Sequence, residues 1–164
     1  MSARSELDSL LGAISFFTRL QVPGRHGDVA LERAIRYFPA VGLLIGAIAA
    51  IVFVAAALVW PKTLALVAAI AAAIVVTGAI HEDGWSDMVD GFGGGANRER
   101  VLAIMRDSAL GSFGALALAL LIVARFFALL EINAALLPVA LIAGHAVSRL
   151  CATFVLAALD YARA

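Results

Sequence analysis

The sequence predicts an all-α fold: a polytopic transmembrane helical bundle of about four spans, with an amphipathic N-terminal helix and a cytoplasmic acidic helix-loop-helix segment. Three observations carry this expectation. The 164 residues are 63% hydrophobic and only 15% charged, where a soluble domain carries roughly 25% charged residues. A mean hydropathy of +1.01 leaves more apolar surface than so short a chain can enclose in one core. The apolar stretches also lack the period-two alternation of a transmembrane β-barrel, and helices are then the remaining way to satisfy backbone polar groups in lipid.

Taken in order, Leu7–Leu20 reads as an amphipathic helix lying on the membrane, with Gln21-Val22-Pro23-Gly24 as a turn. The segment is not read as a signal peptide, because Glu6 and Asp8 follow Arg4 at once and the apolar stretch Leu10–Phe17 ends at Thr18-Arg19 without a small-residue cleavage site. Ala30–Phe38 looks like a short helix leading into the first span. Four stretches approach the ~20 apolar residues a bilayer crossing needs: residues 40–60, 63–80, 113–130 and 134–159. Trp60-Pro61-Lys62 closes the first at a boundary that suits the headgroup layer. So short a turn makes the first two spans an antiparallel hairpin, and Gly42 and Gly46 form a small-xxx-small pair of the kind that lets helices approach closely. Arg125 interrupts the third span, and Pro138, His145 and Arg149 interrupt the fourth. The whole chain reads as a single membrane domain, 1–164. Cys151 and the three methionines read as packing residues, and one cysteine allows no internal disulfide.

Charge sets the expected orientation. Outside the spans, Arg4, Arg19, Arg25, Arg33, Arg36, Arg98, Arg100, Arg106 and Arg163 fall on one side and Lys62 alone on the other. By the positive-inside rule this places the N-terminus, residues 81–112 and the C-terminus in the cytoplasm of a multi-pass protein of the cytoplasmic (inner) membrane. The bilayer is therefore the expected partner. A net charge of zero gives no field favouring nucleic acid, and none is expected as a partner; an oligomer is left open.

Residues 81–112 hold the chemistry. Six of the chain's 12 acids lie there: Glu82, Asp83, Asp87, Asp90, Glu99 and Asp107. Asp83, Asp87 and Asp90 share a helical face within about 60° of one another, with Trp85, Met88, Val89 and Phe92 on the other side as an apolar face for neighbours. Like charges at i, i+4 cost stability unless something balances them. Three hard oxygen ligands suit Mg²⁺ or Mn²⁺, and Mg²⁺ typically uses one or two carboxylates plus substrate phosphates. The Gly93-Gly94-Gly95 run ends the helix and offers backbone N–H groups to an anion. Asn97 is placed to cap a following short helix, Val101–Arg106. Arg98, Arg100 and Arg106 are candidate phosphate-binding groups, since carboxylates for a metal beside arginines for phosphate oxygens are what phosphoryl transfer needs. The alternative is a solvated loop whose acids simply pair with these arginines. His81 lies about 160° from the Asp stripe and is read as a metal ligand, a proton carrier or a structural residue. Arg149 and His145, at i, i+4 in the fourth span, either close the site from the opposite wall or are structural, since intramembrane charges are costly and functional by default.

Four segments, FFTRLQVPG at 16–24, RYFPAVGLLIGA at 36–47, HEDGWSDMVDGFGGG at 81–95 and RERVLAIMRDSALGSFGALAL at 98–118, resemble the cobalamin synthase family, adenosylcobinamide-GDP ribazoletransferase. The resemblance runs from about residue 10 to 159. It implies an integral membrane enzyme requiring Mg²⁺ that joins adenosylcobinamide-GDP to α-ribazole, or its 5′-phosphate, releasing GMP, late in cobalamin biosynthesis. The family motif falls on His81, Asp83, Gly84, Asp87, Asp90, Gly91, Arg100, Asp107 and Gly111. Position 82 departs from it, being Glu where an apolar residue is usual. The family is also longer, so the chain is expected to be a C-terminally truncated piece. On this reading Asp83, Asp87 and Asp90 hold the metal, Arg98, Arg100, Arg106 and Arg149 meet phosphate oxygens, and Asp90 or Asp107 takes the proton of the attacking hydroxyl. Two rival readings differ in class. A CDP-alcohol phosphotransferase would show a longer Asp-Gly…Ala-Arg…Gly…Asp…Asp pattern, and a small transporter would carry acids through its spans, which here hold no Asp or Glu.

Overall fold

The computed structural model describes residues 3–20, 22 and 31–159; Arg25, Arg163 and, Val22 apart, the expected turn at 21–24 lie outside them. Among the described residues every regular element is helical. They are α1 (Ala3–Phe17), α2 (Leu31–Ala34) with a 3₁₀ turn at Ile35–Tyr37, α3 (Phe38–Ala57), α4 (Lys62–Thr77), α5 (Ile80–Gly94), α6 (Arg98–Ile104), α7 (Ser112–Leu130) and α8 (Leu137–Ala158). Three helices are long and apolar enough to cross a membrane, Ile35–Ala57, Ser112–Leu130 and Leu137–Ala158, with a fourth crossing if α4 and α5 form one broken span.

The boundaries depart from the sequence expectation where backbone chemistry intervenes. The second span does not reach residue 80, because Gly78 and Ala79 both take left-handed backbone (φ 65 and 61) and break the chain between α4 and α5. The fourth span begins at Leu137 rather than 134. Pro138 does not interrupt it but occupies its first turn, where the missing N–H has no helical partner to lose.

The described residues divide into two units, those up to Gly78 together with those from Ile132 onward, and residues 79–131. In the first, α1 buries Ala13 and Phe17 against Phe38, Val41, Ile45 and Ala49 of α3 and Ala73 of α4. The Phe17 and Phe38 rings meet edge to face at 4.4 Å, a preferred aromatic geometry. Glu6 holds the other edge of α1, accepting from the Tyr37 hydroxyl and pairing with Arg36 at 2.9 Å. The end of α1 is pinned to α4: the Arg19 N–H donates to the Val76 carbonyl at 2.8 Å, and the Arg19 side chain covers Gly78. Gly42 and Gly46 face α8, where an added Cβ would lie 2.5 Å from the His145 carbonyl oxygen and 2.6 Å from Ile142 Cα. The small-xxx-small pair therefore brings the first long helix against the last. Cys151, read as packing, is exposed on α8.

The second unit consists of α5, α6 and α7. α5 packs along α7, and α6 folds back on α5 with Met105 over Gly91. The apolar face expected to meet these neighbours stays largely uncovered, although the Trp85 indole N–H reaches the Ala117 carbonyl of α7. Trp85, Met88 and Phe92 are exposed, while the buried positions of α5 are Ser86, Asp90 and Gly91.

Candidate active site

The site is built on α5, and each flank of that helix does something different. The flank toward α7 is polar and runs Glu82, Ser86, Asp90 at four-residue spacing, so the three lie nearly above one another. Asp90 is buried, and both its oxygens are engaged: Oδ2 accepts from the Gly111 N–H and Oδ1 from the Gly114 N–H, each at 2.8 Å. These are the N–H groups of the cap residue Gly111 and of the first turn of α7, a helix with no side-chain cap from Gly111 itself. An anion is favoured there by the orphan donors and the helix dipole, so Asp90 caps α7 from a neighbouring helix. Ser86 is buried beside it with its hydroxyl lacking a hydrogen-bond partner. Glu82 pairs with Arg125 at 3.5 Å.

Asp83 and Asp87 lie outside this seam. Asp83 is exposed and Asp87 partly so, one turn further on. Helical phase groups three carboxylates; the fold keeps two together on an open face and turns the third onto a backbone. Among the described residues no three His, Cys, Asp or Glu side chains come together as a metal site. The donor chemistry of Asp83 and Asp87 still fits Mg²⁺, which needs only one or two carboxylates when phosphates complete its shell. His81 is exposed near the start of α5.

α6 displays the arginines. The Asn97 side chain accepts from the Arg100 N–H at 2.9 Å and caps the helix, as its position before the helix suggests. Arg98, Arg100 and Arg106 are all exposed. Asp107 is exposed on the connection to α7 and accepts from the Ala109 N–H at 3.1 Å, a local Asx-type turn. Arg149 and His145 belong to the first unit. Both are buried, with Arg149 Nη1 3.1 Å from His145 Nδ1 and 2.8 Å from Ser148 Oγ.

Two participants escaped sequence reasoning. Ser86 gave one usable signal, its place midway in the Glu82–Asp90 row. Gly114 gave none, because its role is to leave room: a Cβ there would lie 2.8 Å from Asp90 Cγ.

The family model for cobalamin-5-phosphate synthase matches residues 9–164. Relatives named adenosylcobinamide-GDP ribazoletransferase include those of Shewanella amazonensis, 41% identical over 98% of this chain and 64% of the relative, and Shewanella frigidimarina, 44% identical over 96% and 62%. A third, from Ralstonia nicotianae, is 42% identical over 98% of this chain and 64% of its own length. The chain thus spans a little under two thirds of the curated relatives it matches. No solved structure matches it.

Proposed function

The chain belongs to the cobalamin-5-phosphate synthase family, and from that premise we propose that it joins adenosylcobinamide-GDP to α-ribazole, or to α-ribazole 5′-phosphate, releasing GMP. The observation that carries this reading is the pair Asp83 and Asp87, held one turn apart on an open face of α5 in a unit that also displays Arg98, Arg100 and Arg106. We take Asp83 and Asp87 as the residues that hold Mg²⁺. When bound, the ion would neutralise pyrophosphate charge and polarise the phosphorus under attack.

The residues of the chain have separable tasks in this scheme. Arg98, Arg100 and Arg106 meet phosphate oxygens, and a planar guanidinium can do so with two parallel hydrogen bonds. A ribose hydroxyl oxygen of the ribazole, other than the 5′-oxygen that carries the phosphate in the alternative substrate, bonds to the phosphorus on the cobinamide side, the bond from that phosphorus to the GMP oxygen breaks, and arginine charge offsets the departing phosphate. The hydroxyl proton needs an acceptor. Asp107, exposed on the α6–α7 connection, suits that task better than Asp90, whose oxygens are buried on the α7 backbone. His81 is a second candidate for moving a proton. Arg149, buried on His145, is the least suited of the four arginines to meet a substrate.

The bias of positive charge supports placing the N-terminus and the Gly95–Gly111 connection on the cytoplasmic side of the inner membrane, where a soluble nucleotide-linked substrate arrives. The test is GMP release from adenosylcobinamide-GDP and α-ribazole in membranes carrying the protein with Mg²⁺. Asp83→Ala and Asp87→Ala should each abolish turnover; near wild-type release from both variants would end this reading.

A further inference from the structure

Three contacts fix how α5 runs beside α7. Asp90 holds Gly111 and Gly114, the Trp85 indole N–H donates to the Ala117 carbonyl at 3.4 Å, and Glu82 reaches Arg125. As residue numbers fall along α5 they rise along α7, so the helices are antiparallel neighbours over most of α5. α7 has the length and apolarity of a membrane crossing. At about 1.5 Å per residue, Ala117 lies about 8 Å along α7 from Ser112 and Arg125 about 20 Å. A helix fastened at these levels shares their depth.

A second observation points the same way. α4 has 16 residues, about 24 Å of helix, against a hydrocarbon core of about 30 Å. Joined to α5 through a bend of 84°, it has the length and apolarity of one broken span or a re-entrant loop. The exposed face of α5 is apolar, with Trp85 at 40%, Met88 at 36% and Phe92 at 71%. It continues into α7, where Phe113 lies against Gly93 and Leu116 and Leu120 are exposed.

We propose that α5 is inserted in the membrane beside the first half of α7, its Trp85–Met88–Phe92 face covered by lipid acyl chains. Asp83 and Asp87 lie about 100–180° around the helix from that face and so turn away from the acyl chains. Glu82 and Arg125, the deepest charged pair of the unit, neutralise each other, which is what charges at such depth require. The acid-rich segment is then only partly a cytoplasmic loop: its first half descends into the bilayer, and residues 95–111 form the connection outside. This does not rest on the reaction assigned above.

Depth-dependent fluorescence quenching tests it. The sequence has two tryptophans, so Trp60→Phe leaves Trp85 as its reporter. The protein is reconstituted in phosphatidylcholine vesicles brominated at shallow or deep acyl positions. Trp85 should lose at least half its emission to acyl-chain bromine and be shielded from aqueous acrylamide. A second variant, Phe92→Trp with both native tryptophans replaced by Phe, should report a shallower position, since Phe92 lies level with the start of α7. Quenching of Trp85 by acrylamide alone places α5 in water and overturns the proposal. Quenching by neither agent means that protein, from this chain or a second copy, covers the face, which overturns it equally. Equal depths at 85 and 92 would exclude the inserted, antiparallel arrangement.

Discussion

Gly114 donates its backbone N–H to the buried Asp90 carboxylate at 2.8 Å, and the contact is close because Gly114 has no side chain. A Cβ there would lie 2.8 Å from Asp90 Cγ and would also strike Ser86 Oγ. Neither neighbour can move easily, since Ser86 and Asp90 are buried on the same helix face. Gly114→Ala should therefore part α5 from α7 and lower stability by about 1–3 kcal/mol, the usual cost of overpacking. Thermal unfolding of the purified protein in detergent measures this; an unchanged midpoint would show that the clamp is not as tight as drawn.

The same clamp separates the aspartates by readout. Asp90→Asn keeps the shape but offers one acceptor where two N–H groups converge, so one donor loses its partner at a cost of about 1–3 kcal/mol. Asp83→Asn changes an exposed residue and should leave the unfolding midpoint within about 0.5 kcal/mol of wild type while GMP release is lost. Equal thermal effects from the two substitutions would contradict the division of labour between a carboxylate that holds α7 and one that serves substrate.

That division also marks the limit of what the sequence disclosed. The helical nature of the chain, its membrane character and the Asn97 cap were legible, because apolar length and cap chemistry are local properties. Phase arithmetic correctly put Asp83, Asp87 and Asp90 on one side of a helix. It could not tell that α7 would approach from the edge of that stripe and take Asp90 away. The same arithmetic assigned Trp85, Met88 and Phe92 to packing, because in water an apolar face must find a protein neighbour; a face that meets lipid is under no such demand. Gly42 and Gly46 announced a close approach but not its partner, which depends on long-range topology.

Glu82 and Arg125 are the charged contact between α5 and α7, at 3.5 Å. The pair is partly shielded, with side chains 14% and 28% exposed, and one Glu82 oxygen is buried without a hydrogen bond. Removing either partner takes the opposite charge away from the other in a part-shielded place, whereas removing both leaves an apolar contact between two helices. Glu82→Leu and Arg125→Leu should each lower the unfolding midpoint, and the double variant should recover most of the loss. In a double-mutant cycle this appears as a coupling of about 1 kcal/mol or more. Strictly additive losses would mean that the pair contributes nothing as a pair.

Gly78 carries two constraints that can be separated by substitution. Its left-handed backbone, φ 65, ends α4 and costs a residue with a side chain about 1–2 kcal/mol. Its surface is covered by Arg19, whose Nε would lie 2.7 Å from an added Cβ. Arg19 is long and can swing aside, but it sits where a cation favours the carbonyl end of a helix. Gly78→Ala should thus lose the backbone term and disturb Arg19, while Gly78→Asn should lose less, because Asn tolerates left-handed backbone. Arg19→Ala combined with Gly78→Ala removes the steric part and should return a fraction of the stability lost by Gly78→Ala alone. Thermal unfolding of the three variants orders them: Asn above the double substitution, and the double above Ala. An Ala variant as stable as wild type would mean that α4 can end without its left-handed residue, and the break between α4 and α5 would then need another cause.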